Sequence, residues 1–201
     1  TGWPPSDSKD FLGAWGGFAP DFVKIAPTFF WRLEIDPHKK ECVSLDLAPD
    51  SANVCIEHVV VHPNFQTRKA QYVYGASSNA VGDSSAPCGY AKLKVETGRR
   101  TRLVDGDYNS EVDVYWFGTR YFASEPLIIP KSDGDPNIEN DAFLLGVVRD
   151  AATKRDFLAI FDLEQDLSQG PVCRLFFKTG VPHGIHGCFV TDGDEKRSIF
   201  C

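Results

Sequence analysis

The sequence predicts an all-β protein in which short antiparallel strands are separated by tight turns. The first observation is that apolar and polar residues alternate over short runs, which is the period of a half-buried strand. The second is that clusters of Asp, Gly, Ser and Pro separate these runs, as at Asp105-Gly106-Asp107 and Ser132-Asp133-Gly134. The third is a composition with 42% hydrophobic and 12% aromatic residues, which suits a packed core rather than a disordered chain. Short strands at this spacing are typical of a propeller or a barrel.

The predicted elements begin with an irregular arm and a hairpin. Residues 1–28 are rich in Gly, Pro and Trp and show no sustained periodicity. The aromatic residues of this arm would either dock on another chain or fold back on their own domain. The rest, residues 29–201, reads as one β-rich region without a linker. Its first strand, Phe29–Asp36, turns at Pro37–Lys40 and returns along Cys42–Leu45.

The remaining predictions are listed in chain order. Strands are predicted at Val54–Val61, Ala70–Gly75, Tyr90–Glu96, Thr101–Val104, Val112–Phe117, Leu127–Ile129, Phe143–Arg149, Phe157–Asp162, Val172–Lys178 and Gly187–Thr191, and one helical turn at Glu164–Ser168.

Charge, hydropathy and cysteine spacing exclude several classes of function. A net charge of −7 gives no basic surface for nucleic acid or for an anionic membrane. No apolar run approaches the ~20 residues that span a bilayer. None of the 6 cysteines belongs to a Cys-x-x-Cys pair, so a zinc ribbon is disfavoured. Because the sequence contains no Met, we expect it to begin inside a longer translation product, through cleavage or truncation, and removal of a transit peptide is one such route.

Two histidines lie on the predicted strand that follows Glu57. On a regular strand His58 and His62 share one face, but four residues separate them by ~13 Å. Metal–nitrogen bonds are ~2.1 Å, so the two imidazoles cannot hold one ion unless the strand is broken. We therefore expect both to be surface or half-buried histidines.

A third histidine, His186, is flanked by Gly184 and Gly187. Glycine lets backbone or a ligand approach closely, and a neutral imidazole at such a spot is a good metal ligand. A core histidine beside two turn glycines fits the residues as well. Glu125, in an apolar stretch before Pro126, needs a partner if it is buried, and is otherwise a turn residue in solvent.

Four motifs in order resemble those of the carotenoid cleavage oxygenases, a family of iron enzymes built on a seven-bladed β-propeller. Glu57–Gly75 is similar to the family's Glu-Phe-Pro to Tyr-x-Tyr-Gly segment, and Ala123–Pro130 to its Gly-Glu-Pro segment. Glu139–Leu175 is similar to the closing blades, and Gly180–Val190 to the last histidine motif. The resemblance implies a partial β-propeller of several antiparallel blades, the C-terminal part of the family's fold.

Two departures from the family motif lie in the first of these segments. His58-Val59 stands where the family has Phe-Pro, and His62 stands where it has Asn. The resemblance implies that His186 is a metal ligand and that Glu57 and Glu125 hydrogen-bond to iron-binding histidines, which fixes imidazole orientation.

The number of histidines available decides between two functions. The resemblance implies that four histidines hold the iron, and of these only His186 has a match here. Non-heme iron that activates oxygen usually needs at least three protein ligands, so we expect the isolated chain to bind no catalytic iron. The favoured interpretation is a non-catalytic carotenoid-oxygenase-like subunit, with a structural or pigment-contacting role in a larger, for example photosynthetic, assembly.

The alternative is an enzyme divided between chains or truncated. The chain would then be the C-terminal part of an Fe²⁺-dependent carotenoid cleavage dioxygenase that splits a polyene double bond with O₂, and three histidines would come from outside it. Both interpretations imply other protein chains and carotenoid as partners. By the same analogy we expect a plastid location.

Overall fold

The computed structural model describes residues 31–47, 55–78, 86–95, 112–182, 184 and 186–190. Over these ranges the chain consists almost wholly of antiparallel strands joined by turns, so the predicted fold class is confirmed. The predicted arm at residues 1–28, the predicted strand Thr101–Val104 and residue His183 of the Gly180–Val190 segment lie outside the described residues. In the described ranges there is no helix long and apolar enough to cross a bilayer.

The described strands form three sheets. Their bounds are β1 Trp31–Asp36, β2 Glu41–Leu47, β3 Cys55–Val60, β4 Tyr72–Ser78, β5 Gly89–Lys94, β6 Val112–Trp116, β7 Tyr121–Ala123, β8 Leu127–Pro130, β9 Ala142–Asp150, β10 Arg155–Asp162 and β11 Cys173–Phe176. Strands β1 and β2 form a hairpin, and β3-β4-β5-β6 form a four-stranded sheet in chain order. The third sheet has the order β11-β10-β9-β7, and β8 also pairs with β9. A four-stranded antiparallel meander is the unit from which propeller blades are built.

The hydrophobic core lies between the four-stranded and the five-stranded sheets. Tyr74 and Tyr90 enter it from the first sheet, and Leu144, Phe157 and Phe161 enter it from the second. All five side chains are at most 1% exposed. Burying side chains of this size contributes about 1.5–3 kcal/mol each, so this layer fixes how the two sheets pack.

One close contact in this core depends on a glycine. Gly146 of β9 faces the ring of Tyr90, and a Cβ on Gly146 would lie 1.8 Å from the Tyr90 hydroxyl oxygen. Only a residue without a side chain allows this approach of backbone to ring.

A buried histidine caps the 3-10 turn Pro63–Phe65. His62 is 2% exposed, and its Nδ1 accepts a hydrogen bond of 3.2 Å from the Asn64 N–H. Burial lowers the pKa of His62 below its ordinary value of 6.5, an effect partly offset by the Asp141 carboxylate. His62 is therefore a structural cap in its neutral form.

The predicted strands agree with the described strands except at two places. Strand β7, Tyr121–Ala123, was not predicted, because three residues are too few to show alternation. The strand predicted at Gly187–Thr191 was wrong, since residues 187–190 form no regular element. The predicted helical turn is present as the 3-10 turn Leu167–Gln169.

Candidate metal centre

Glu125 and His186 lie in contact. Both carboxylate oxygens of Glu125 are 3.3 Å from Nδ1 of His186, and the Gly187 N–H donates to the same carboxylate over 3.1 Å. The Glu125 side chain is 17% exposed and that of His186 is 75% exposed. Because Nδ1 faces the carboxylate, Nε2 is the nitrogen that remains for a metal.

Glu125 is held between two fixed neighbours. The Ser124 N–H donates to the Val147 carbonyl over 2.9 Å, and the Val147 N–H donates back to the Ser124 hydroxyl over 3.1 Å. Pro126 on the other side is fully buried. These two hydrogen bonds hold Ser124 against β9, so the next residue, Glu125, projects its carboxylate from a fixed point of the five-stranded sheet.

The segment that leads to His186 is anchored on the same sheet. Asp156 of β10 is 3% exposed and accepts hydrogen bonds from Nη1 of Arg149 at 2.8 and 2.9 Å. It also accepts one of 2.8 Å from the Val181 N–H. A buried carboxylate needs such partners, and here one of them is the backbone five residues before His186.

His58 reaches this centre because β3 is not regular. The pairing of β3 with β4 shifts register between Glu57 and Val60, which is a bulge, and His58 has a φ of 51°. Bulges bend a strand and re-aim side chains. The His58 ring lies with its centroid 5.8 Å from that of His186, at an interplanar angle of 82°.

The three side chains together form a cluster of possible metal ligands. One nitrogen of His58, one of His186 and one oxygen of Glu125 all lie within 4.8 Å of one another, and over the described part of the chain this is the one such cluster. Two imidazoles and a carboxylate are donors that suit Fe²⁺ or Zn²⁺, so the residues fit a divalent ion.

The outcome for the residues singled out in the sequence is mixed. The structure brings Glu125 and His186 together, while Glu57 lies half-buried in β3 and is not part of the cluster. The roles of all three towards a metal stay predictions. The expectation of surface or half-buried histidines holds for His58, which is half-buried, and is wrong for His62, which is 2% exposed. His58 joins the cluster of possible ligands without His62, because the strand is not regular at His58. His62 caps its turn and is not part of the cluster.

A signal for the bulge was present in the sequence. Gly75 stands in the strand that pairs with β3, and a Cβ there would lie 2.8 Å from the Glu57 carbonyl oxygen. An isolated glycine inside a strand pattern often marks a bulge or a close backbone approach.

A largely apolar cleft opens beside the cluster. Its volume is about 620 Å³, and Glu125 and His186 form part of its wall together with side chains such as Phe122, Leu145 and Leu158. A cleft of this size with few polar groups suits an apolar ligand that is oriented by a small number of contacts.

Comparisons with known proteins agree with this fold. The family model described as "RPE65: Retinal pigment epithelial membrane protein" matches residues 6–191. The carotenoid 9,10(9',10')-cleavage dioxygenase 1 of Pisum sativum is 27% identical over 133 residues, which cover 66% of this chain and 24% of that protein. The probable carotenoid cleavage dioxygenase 4, chloroplastic, of Arabidopsis thaliana is 27% identical over 188 residues, covering 89% of this chain and 29% of that protein.

Solved structures of an apocarotenoid oxygenase from Synechocystis share the fold. One variant matches with a TM-score of 0.68 and 26% identity over 84% of this chain and 31% of that one. A cobalt-substituted form matches with a TM-score of 0.68 and 25% identity over 85% of this chain and 32% of that one. The chain thus spans about a quarter to a third of the proteins it matches.

Fold and comparisons together define a class and a family. The class is a partial β-propeller of the carotenoid oxygenase type, in which antiparallel sheets lie beside an apolar cleft that has His186 in its wall. The chain belongs to the RPE65 family, which includes the carotenoid cleavage oxygenases.

Proposed function

We propose that this chain supplies the C-terminal propeller portion of an iron-dependent carotenoid cleavage oxygenase. In this function His186 is one of the iron ligands, and Glu125 orients its imidazole. The portion corresponds to residues 29–201, preceded by the irregular arm at residues 1–28.

The observation that carries the proposal is the contact between Glu125 and His186. A metal-binding imidazole usually gives its other nitrogen to a carboxylate, which fixes the tautomer and raises the basicity of the ligating nitrogen. Nδ1 of His186 lies 3.3 Å from both oxygens of Glu125, and the side chain is 75% exposed, so Nε2 is left for a metal. This is the geometry expected of a histidine that binds a metal together with ligands from outside this chain.

The apolar cleft supports a polyene as the substrate. Phe122, Leu145 and Leu158 would bind the hydrocarbon by excluding water. Bound iron would supply the oxygen activation that cleavage of a polyene double bond needs. We expect Glu57 to orient an imidazole that comes from outside this chain.

The compartment follows by analogy with relatives. Two Arabidopsis proteins among them are named as chloroplastic, and carotenoids are the substrates in their names. We therefore propose a plastid location for this chain.

A second candidate function is a non-catalytic subunit of a larger assembly. The observation that favours it is the single match, His186, among the histidine positions that the family motifs imply. The exposed apolar side chains of the edge strand β11, Leu175 and Phe176, at 51% and 50%, suit packing against further protein in either function.

One experiment separates the two candidates. The native assembly that contains this chain is purified, its iron content per copy is measured, and its cleavage of a carotenoid is followed by the loss of polyene absorbance. For the oxygenase we expect about one iron per copy, and loss of both iron and cleavage in His186→Ala. His38→Ala, in the exposed turn after β1, is the matched control and should change neither. An intact assembly without iron, indifferent to His186→Ala, would establish the non-catalytic subunit instead.

A further inference from the structure

His58 is held in a strained conformation that points it at His186. A φ of 51° lies in the left-handed region, which is unfavourable for a residue other than glycine. The β3 bulge and the packing of its neighbours must offset that cost, since Cys55 and Ile56 just before it are 5% and 8% exposed. Strain that the surrounding structure over-determines concentrates at ligand-binding positions.

The three donors are near the separations that a metal requires. Ligand atoms at ~2.1 Å from one ion lie about 3.0–3.4 Å apart when they are neighbours in its shell. The oxygens of Glu125 already lie 3.3 Å from Nδ1 of His186, and the nitrogen of His58 lies within 4.8 Å of both partners. The His186 side chain is 75% exposed, so its ring has room to rotate towards the other two donors.

We propose that His58, Glu125 and His186 form a divalent-metal site that this chain carries by itself, with His58 as a direct ligand. Two histidines and one carboxylate are the donor set of non-heme Fe²⁺ sites that keep open positions. The site goes beyond the proposed function, in which Glu125 orients His186 and His58 has no role. It rests on that function only for the identity of the ion, iron, and not for the binding itself.

The sequence gives a reason to treat His58 as particular to this chain. The family motif has Phe at this position, so His58 is a departure from the segment that Glu57–Gly75 otherwise resembles. A substitution of Phe by His beside an imidazole and a carboxylate adds a nitrogen donor where an apolar ring would only pack.

The test is a titration of the full chain with Co²⁺, which takes nitrogen and oxygen ligands and reports its coordination by visible absorbance. We expect one Co²⁺ per chain, and binding at least tenfold weaker in His58→Phe, since even changes behind a ligand typically cost 10–100-fold. The Phe variant restores the family residue and keeps a ring against His186. His38→Phe is the matched control and should bind like the parent.

Each outcome bears on the proposal separately from the oxygenase function. Equal Co²⁺ affinity in the parent and in His58→Phe, or no stoichiometric binding by the parent, overturns it and leaves the oxygenase function standing, because that function draws its other ligands from outside. Should His58→Phe lose structure by circular dichroism, the proton NMR signals of the parent decide. Co²⁺ must then broaden the imidazole signals of His58 and His186 and not that of His38, and any other pattern overturns the proposal.

Discussion

Replacing Asp156 by Ala should destabilise the chain and loosen the segment that carries His186. Asp156 is 3% exposed and accepts hydrogen bonds from Arg149 and from the Val181 N–H. A hydrogen bond to a charged group contributes about 1.5–3 kcal/mol, which sets the value of the Val181 contact. The Arg149 side chain is 40% exposed, so its ion pair adds only about 0–1 kcal/mol.

From these contributions we expect Asp156→Ala to lower the free energy of unfolding by about 3 kcal/mol. Asp156→Asn keeps an oxygen for the Val181 N–H and loses the charge, so about half of that loss is expected. Urea denaturation followed by circular dichroism measures both changes. Asp133→Ala, at an exposed turn carboxylate, is the control and should stay within ~0.5 kcal/mol.

The reasoning also predicts an effect at the metal centre. Val181 is tied down five residues before His186, so its release should weaken Co²⁺ binding several-fold without touching a ligand. A stability loss below ~1 kcal/mol in Asp156→Ala, or the same loss in the Ala and Asn variants, would refute the anchoring role.

Two further predictions concern the core and the pH dependence. Gly146→Ala should lower the free energy of unfolding by about 1–3 kcal/mol, because its Cβ would lie 1.8 Å from the Tyr90 hydroxyl oxygen. A Cβ at Gly187 would meet nothing within 4 Å, so Gly187→Ala is the control and should leave the urea midpoint unchanged. Equal urea midpoints in the two variants would contradict the contact. Burial lowers the pKa of His62 in the folded chain below 6.5. Below pH 6.5 the unfolded chain therefore binds more protons than the folded chain, and the free energy of unfolding falls as the pH drops from 6.5 to the folded pKa. His62→Asn keeps a capping oxygen and removes the proton site, so its thermal midpoint should fall less between pH 7.5 and 5 than that of the parent, and identical pH slopes would contradict the assignment.

The strands were predictable where burial imposes a strict period. In β9 buried residues alternate with half-buried ones, and the apolar pattern of Phe143–Arg149 gave its position within a residue or two. The pattern at Gly187–Thr191 misled, because its apolar residues are exposed: Phe189 and Val190 are 50% and 46% exposed. The Gly187 N–H donates to a side chain, Glu125, and not to a neighbouring strand.

The candidate site was predictable only as far as motif resemblance reached. Glu125 and His186 were singled out through segments similar to family motifs, and no periodicity could have placed them together, because 61 residues separate them. His58 was missed for a different reason. The ~13 Å argument about His58 and His62 is sound for a regular strand, and β3 is interrupted by a bulge at His58.

The two arrangements proposed for the metal exclude each other by coordination number. An octahedral Fe²⁺ ion accepts six ligands, and an oxygen-activating site must leave at least one position open. His58, Glu125 and His186 would occupy three positions, and three imidazoles from outside the chain would fill the rest. If three outside histidines join His186 at the centre, at most one of Glu125 and His58 can also bind the metal, because one position must stay open. A Co²⁺ affinity of the isolated chain that depends on His58 would mean that completion of the oxygenase displaces either this imidazole or the Glu125 carboxylate from the metal.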